Sequence, residues 1–394
     1  MDIMLLLLVP CAVSVCLLLA TRIRDYLILV QARRQSETPD EGLPVRAPGI
    51  SIVIPTSGQA RALETHLPGF LAQNYPFFEV IVVMDDDPKS DTADVLKRLE
   101  NTSTRLRHTF IPTTTRFVGH RKLAVTLGIK SARYEWVVVT QPDCTPAGPE
   151  WLMGLSEKMT DDRNLLIGYA NYKANGGRGL ATASYRRLRR ALWAFGAAMR
   201  GRAVDADGCN MALRKSYFMQ QGGYASQLSF TCGEDGLLFD RLATPGHTAV
   251  VCTPASTIWQ DYDSAKDSRK VRIARSVADR HLRLRGKWLK WRWGLLDTLI
   301  YIYYFTWIAA AFLRASQLRA FPTTYNVEQA WRDVCLATLF FYPIVEAWAL
   351  NRSAKAVGQR SFGLRNIGYD LFQVFDGWTL HLTAWLCRND FRRK

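Results

Sequence analysis

Apolar residues are distributed along this chain in two distinct ways. In the first two-thirds they form short unbroken runs, separated by stretches with helical spacing. Near the N-terminus and beyond residue 290 they form runs about as long as a bilayer is thick. Residues 50–55 (ISIVIP), 79–84 (EVIVVM) and 135–140 (EWVVVT) show no apolar/polar alternation, the pattern of strands buried on both faces of a sheet. Between them, 60–73, 92–100 and 121–132 read as helices, with apolar positions at 123, 124, 127 and 129 in the last and Asp91 as the N-cap of the second. A short strand is expected at 108–111. Strand and helix in alternation predict an α/β domain on a mostly parallel, Rossmann-like sheet with right-handed crossovers.

Downstream the pattern predicts a helix at 149–159, a strand at 164–172, a basic helix at 180–202 and a helix from 233 to 242. Residues 3–20 are apolar apart from Pro10 and Ser14, the lower limit for a membrane span. Arg22, Arg24, Arg33 and Arg34 follow that run, which places the succeeding side in the cytoplasm by the positive-inside rule. Residues 295–313 and 334–350 are two further runs and read as a transmembrane hairpin. Residues 369–386 are more amphipathic than apolar and fit the interface plane. The expected organisation is an N-terminal anchor (1–21), a linker (22–49), an α/β domain (50–265), a basic Trp-rich interface segment (266–293), a membrane hairpin (294–350) and a tail (351–394).

Charge sharpens this picture. The 394 residues carry 51 Lys+Arg against 35 Asp+Glu, a formal net charge of +16, so an anionic partner is expected. The excess concentrates at 266–292, where eleven basic residues face two acids among Trp288 and Trp291. Trp beside basic residues next to an apolar run marks a membrane interface, and anionic lipid headgroups account for the charge. Nucleic acid is not expected, because no helix-turn-helix or zinc-finger spacing is present. The eight cysteines show no CxxC or Cys/His ligand spacing, which argues against a structural zinc site.

The candidate chemistry lies where the strands end. Strand 79–84 ends in Asp85, Asp86 and Asp87, and strand 135–140 in Gln141-Pro142-Asp143. In open α/β sheets the carboxyl ends of the strands are where ligands bind. Two acidic turns there suggest a polyanion site bridged by a metal ion.

The set SIVIPT (51–56), EVIVVMDDDPKSDT (79–92), RKLAVTLGIKSA (121–132), QPD (141–143), GCNMALRK (208–215) and GED (233–235) resembles the inverting family 2 glycosyltransferases, bacterial membrane-anchored branch. The resemblance spans roughly residues 50–245. It implies a GT-A fold, a nucleotide-sugar donor (a UDP-sugar foremost), a divalent Mg²⁺ or Mn²⁺ ion, and a lipid-linked or membrane-proximal acceptor at the cytoplasmic face of a bacterial inner membrane. On that resemblance, Pro55 and Thr56 shape the nucleotide pocket, Asp85 contacts the base, and Lys122 lies beside the nucleotide or its phosphates. Asp143 matches the last Asp of the DxD motif and holds the metal. Asp235 is the general base supported by Glu234, and Asn210 shapes the sugar site. Three departures stand out: Gln141 replaces the first Asp of DxD, Gly58 replaces the usual Asn after the first strand, and no QxxRW motif is evident. Lys266, Arg269, Arg272 and Arg275 occupy the QxxRW region and could supply phosphate contacts. Gln141 also leaves room for a catalytically weakened scaffold that serves a glycan-assembly complex.

Overall fold

The computed structural model describes residues 16–17, 19–37, 47–85, 89–111, 119–174, 177–227, 234–317 and 327–386. A helical stretch at 19–26 leads into α1 (Ile28–Glu37). Then follow β1 (Ile50–Thr56), α2 (Ala60–Leu71), β2 (Phe78–Met84), α3 (Asp91–Glu100), β3 (Leu106–Phe110), α4 (His120–Ser131) and β4 (Trp136–Val139). Next come β5 (Cys144–Pro146), α5 (Trp151–Ser156), β6 (Leu165–Gly168), β7 (Ala170–Tyr172), α6 (Leu180–Met199), β8 (Met211–Arg214) and α7 (Lys215–Gln220). The chain continues through α8 (Glu234–Leu242), β9 (Thr248–Val251), β10 (Ile258–Gln260), α9 (Ala265–Asp279), α10 (Leu284–Gln317), α11 (Val327–Ala356) and α12 (Arg365–Leu386).

The three unbroken apolar runs become β1, β2 and β4, and every residue of each is buried. They form the centre of a seven-stranded sheet ordered β3-β2-β1-β4-β8-β6-β9. β1, β2, β3 and β4 pair in parallel, whereas β8 runs antiparallel to both β4 and β6. The strand order reverses direction at β1, so the carboxyl ends of β1 and β4 flank a crevice, the ordinary ligand position of such sheets. Gly128 lets α4 close onto the sheet, since a Cβ there would meet a Val53 methyl at 2.4 Å.

Some expected elements are altered. The single strand expected at 164–172 is broken at Tyr169: β6 joins the large sheet, and β7 joins a small one ordered β5-β10-β7. Ser90, not Asp91, takes the N-cap position of α3, and its side chain makes no capping hydrogen bond.

The ends of the chain differ most from expectation. Among the described residues no helix is long and apolar enough to cross a membrane. The expected hairpin segments do form the long helices α10 and α11, but neither qualifies as a span on its described residues. Most of the expected anchor, residues 3–15 and 18, lies outside the described residues.

Asp297 on α10 and Glu346 on α11 join a buried ionic cluster. Arg22 contacts Asp297, Glu346 (3.3 Å) and Asp370 (3.3 Å). Arg189 on α6 contacts Asp370 and reaches Asp297 at 2.8 Å. The Tyr26 and Tyr185 hydroxyls donate to Asp370 at 3.0 and 2.6 Å. Charges this buried are tolerated because they are paired and hydrogen-bonded, and removing one partner would strand the others. The cluster thus locks the helical stretch at 19–26, α6, α10, α11 and α12 together.

Candidate functional site

A cavity of about 620 Å³ opens beside the carboxyl end of β4. Its walls come from the turn after β4, from α6, from the β10–α9 connection, and from α10 and α12. Asp143 and Asp235, far apart in sequence, both line it.

At the β4 end, Asp143 Oδ2 accepts a hydrogen bond from Gln260 Nε2 at 2.8 Å, and the same nitrogen lies 3.1 Å from Gln141 Oε1. Gln260 is set in place from its other side, where Arg187 Nη1 donates to its Oε1 at 2.6 Å. Arg187 is itself clamped by two hydrogen bonds to Asp207, at 2.8 and 2.9 Å. One turn on, Arg190 makes the equivalent pair with Asp205, both bonds at 2.6 Å. Burial raises the Asp143 carboxyl, and the Gln260 hydrogen bond and the Arg187 charge offset this only in part. Burial pushes Asp207 the same way, but Arg187 and Arg190 outweigh it and hold that carboxyl well below the usual carboxylate range. The two neighbouring carboxyls therefore differ in character: Asp207 is a fixed anion inside a clamp, and Asp143 is an anion short of positive charge.

Asp235, at the start of α8, receives Arg121 Nη1 on Oδ1 at 2.9 Å and the Tyr224 hydroxyl at 3.5 Å. Its Oδ2 faces Gly208 so closely that a Cβ there would fall 1.9 Å away. Only glycine fits at that position. Glu234 begins the same helix, but its side chain lies outside the described residues.

The remaining sequence-derived candidates lie elsewhere. Pro55 and Thr56 end β1 and are buried. The backbone N–H of Asp85 donates to the Thr56 carbonyl at 2.9 Å, and the Asp85 carboxylate lies 2.6 Å from His120 Nδ1. This group sits at the carboxyl ends of β1 and β2 but is not among the residues lining the cavity. Asp86 and Asp87 lie outside the described residues. Lys122 is 2% exposed and donates to the Gln227 carbonyl at 2.5 Å, so its ammonium is directed into the fold. Asn210 is fully buried, and its amide donates to the Tyr169 and Ser256 carbonyls at 2.8 and 2.9 Å, holding β8 against neighbouring chain. Neither Lys122 nor Asn210 lines the cavity. Of the basic residues in the QxxRW region, Arg272 and Arg275 do.

Sequence reasoning missed Arg121, Arg187, Asp207, Gln260 and the role of Gly208. Arg187 and Gln260 carry no local signal, because what they do depends on partners 20 and 119 positions away.

The metal expectation can be tested on these atoms. No group of three or more His, Cys, Asp or Glu suited to a metal occurs among the described residues. Asp143 is one carboxylate with a neutral amide oxygen, Gln141 Oε1, close by. Mg²⁺ is commonly held by one or two carboxylates together with substrate phosphates, and this donor set fits an ion that arrives with a diphosphate, not a resident one.

Residues 51–222 match the family described as Glycosyl transferase family 2. A 150-residue stretch is 27% identical to the chondroitin synthase of Escherichia coli, covering 38% of this chain and 21% of that protein, so the match spans about a fifth of the relative. Among solved structures, a mannosyltransferase from Pyrobaculum calidifontis, in complex with GDP-Man and Mn²⁺, aligns over 95% of this chain and 96% of its own, at 15% identity and a TM-score of 0.49. S. aureus TarS 1–349 in complex with UDP-GlcNAc aligns over 87% and 92%, at 15% identity and a TM-score of 0.40. The apolar strands of the parallel half-sheet, the QPD turn and the GCNMALRK strand all fall within the matched segment. The segment that matches the Glycosyl transferase family 2 description, residues 51–222, covers a little under half of this chain.

Proposed function

We propose that the chain transfers a single sugar, with inversion, from a nucleotide-sugar donor to a lipid-linked or membrane-proximal acceptor. The observation that carries this is the meeting in one cavity of Asp143, inside the segment that matches family 2, and Asp235, just beyond its end. The nucleotide would lie toward Pro55, Thr56 and Asp85, with a UDP-sugar as the first donor to try. The diphosphate would lie near Asp143 and Gln141. A divalent ion bound there with the donor would neutralise charge developing on the leaving diphosphate.

In this arrangement Asp235 takes the proton from the acceptor hydroxyl as that oxygen attacks the anomeric carbon. Arg121 fixes one oxygen of the carboxylate, and the missing side chain of Gly208 makes the space that the other oxygen occupies. Arg187 and Asp207 hold Gln260 in place, which keeps Asp143 at the donor end of the cavity. Membrane attachment belongs to the same proposal. It is supported by the aromatic and aliphatic side chains exposed on α10, α11 and α12 beside the basic α9–α10 segment. The catalytic side would be cytoplasmic.

A second reading, a weakened scaffold, is favoured by Gln141 and by the amide nitrogen of Gln260 sitting on Asp143. The two readings separate in a transfer assay with Asp235→Asn. Wild-type transfer that falls at least a hundredfold in the variant supports the enzyme, and donor binding without any wild-type turnover supports the scaffold.

A further inference from the structure

The cavity does not end at the catalytic residues. It continues between α10 and α12, where Gly294 and Thr298 line one side and Val374, Gly377 and Trp378 the other. Two of these are glycines, and a Cβ added to either would meet no atom within 4 Å, so the passage is open on both helices. Trp378 lines the cavity and is also 52% exposed, which puts it at the mouth.

Outside that mouth both helices are apolar. Leu295, Leu299 and Ile302 are exposed on α10, and Phe375, Trp378 and Leu382 on α12. The α12 residues recur at helical spacing on a different face from the buried Asp370 and Ala384, the pattern of a helix lying in an interface. Exposed Arg269, Lys270, Arg280, Arg283 and Lys287 border it, with exposed Trp288 and Trp291. This combination suits an anionic lipid surface. At the inner end, Arg186 and Arg272 share the single carboxylate of Asp376, and the Nε of each is buried with no hydrogen-bond partner among the described residues. Two guanidiniums on one carboxylate leave a positive charge facing the cavity.

We propose that the acceptor is an anionic amphiphile that enters sideways from a lipid surface through the gap between α10 and α12. Its hydrocarbon chain stays between Gly294, Thr298, Gly377 and Trp378, and its anionic headgroup meets Arg186 and Arg272. The acceptor hydroxyl is thereby presented toward Asp235. This rests on the transferase reading above, but its test needs no turnover.

The full chain is bound to phosphatidylglycerol vesicles doped with a phosphatidic acid that carries a diazirine in its acyl chain, without nucleotide. After irradiation, adducts are mapped by mass spectrometry. Adducts on gap residues 294–298 and 374–380 are expected, falling at least fivefold in Gly377→Leu, while those on outward Ile302 and Leu382 persist. Leucine favours a helix over glycine, so the plug is compatible with the fold. If it does not fold, Gly294→Leu plugs the same gap from α10. Adducts confined to the outer faces, or gap adducts indifferent to a folded plug, overturn the proposal. So does absence of labelling because a second copy of the chain covers the face. Failure of the transferase reading would show instead as absent nucleotide binding, with the lipid labelling unchanged.

Discussion

Replacing Arg187 with alanine tests whether the donor end of the cavity is held together by a charge clamp. The substitution removes two charge-assisted hydrogen bonds to Asp207, one to Gln260, and the stacking of the guanidinium 4.8 Å from the Tyr172 ring. Asp207 then keeps the Cys209 backbone N–H at 3.2 Å and Arg190 at 3.6 Å. Removing one partner of a buried pair costs about 3–5 kcal/mol, because the other charge is left without compensation. Water in the adjoining cavity favours the lower end of that range. At roughly 2 °C per kcal/mol, the melting temperature should fall by about 6–10 °C. Arg187→Ala/Asp207→Ala should recover at least half of the loss, since no charge is then stranded. The pH dependence follows from the low native pKa of Asp207. A carboxylate depressed in the folded state contributes stability above its unfolded pKa, near 3.9, and loses it as pH falls through the folded value. The gap between wild type and Arg187→Ala should therefore be widest near pH 7 and narrow below pH 4. Thermal melts by circular dichroism from pH 3.5 to 7.5 measure this. A single variant within 1 °C of wild type, or a double variant no better than the single, would refute the clamp.

Other substitutions probe different links. Asn210→Ala should lower stability by about 2–4 kcal/mol, because two buried carbonyls lose their donors. A urea midpoint equal to wild type would contradict that. Lys122→Met should act mainly on stability, not donor affinity, given its bond to the Gln227 carbonyl. A tenfold rise in the donor KM with an unchanged melt would return Lys122 to the donor site. Gly208→Ala should abolish transfer or folding, because the added carbon collides with Asp235, and an active, stable variant would disprove the close approach. Gln141→Asp should tighten Mn²⁺ binding in the presence of UDP by adding a carboxylate beside Asp143. Unchanged Mn²⁺ dependence in calorimetry would show that residue 141 does not face the ion.

The half-sheet around β1, β2 and β4 was legible because burial on both faces leaves unbroken apolar runs, a signal carried by each strand alone. The antiparallel β8 was not legible, since Met211–Arg214 would look the same in either direction. The break at Tyr169 was hidden too, because β6 and β7 are continuous in hydrophobicity and separate only by joining different sheets. In the cavity, the acids at strand and helix ends could be found from sequence, whereas the residues that position them could not. Arg186, Arg187, Arg189 and Arg190 all fall in the stretch that reads simply as a basic helix at 180–202. In the fold they divide among Asp376, Gln260 with Asp207, the Arg22 cluster, and Asp205. The long C-terminal helices were legible as helices. The ion pairs of Asp297 and Glu346 were not legible, because their partner Arg22 is more than 270 positions away.

The most direct test of the donor site is calorimetric titration of UDP into the full chain in detergent, with and without Mn²⁺, for wild type and Asp143→Ala. The account predicts binding that strengthens with Mn²⁺ in wild type and loses that dependence in the variant. Binding of equal strength with and without Mn²⁺ in both proteins, or no binding at all, would contradict a metal-assisted UDP-sugar site at Asp143.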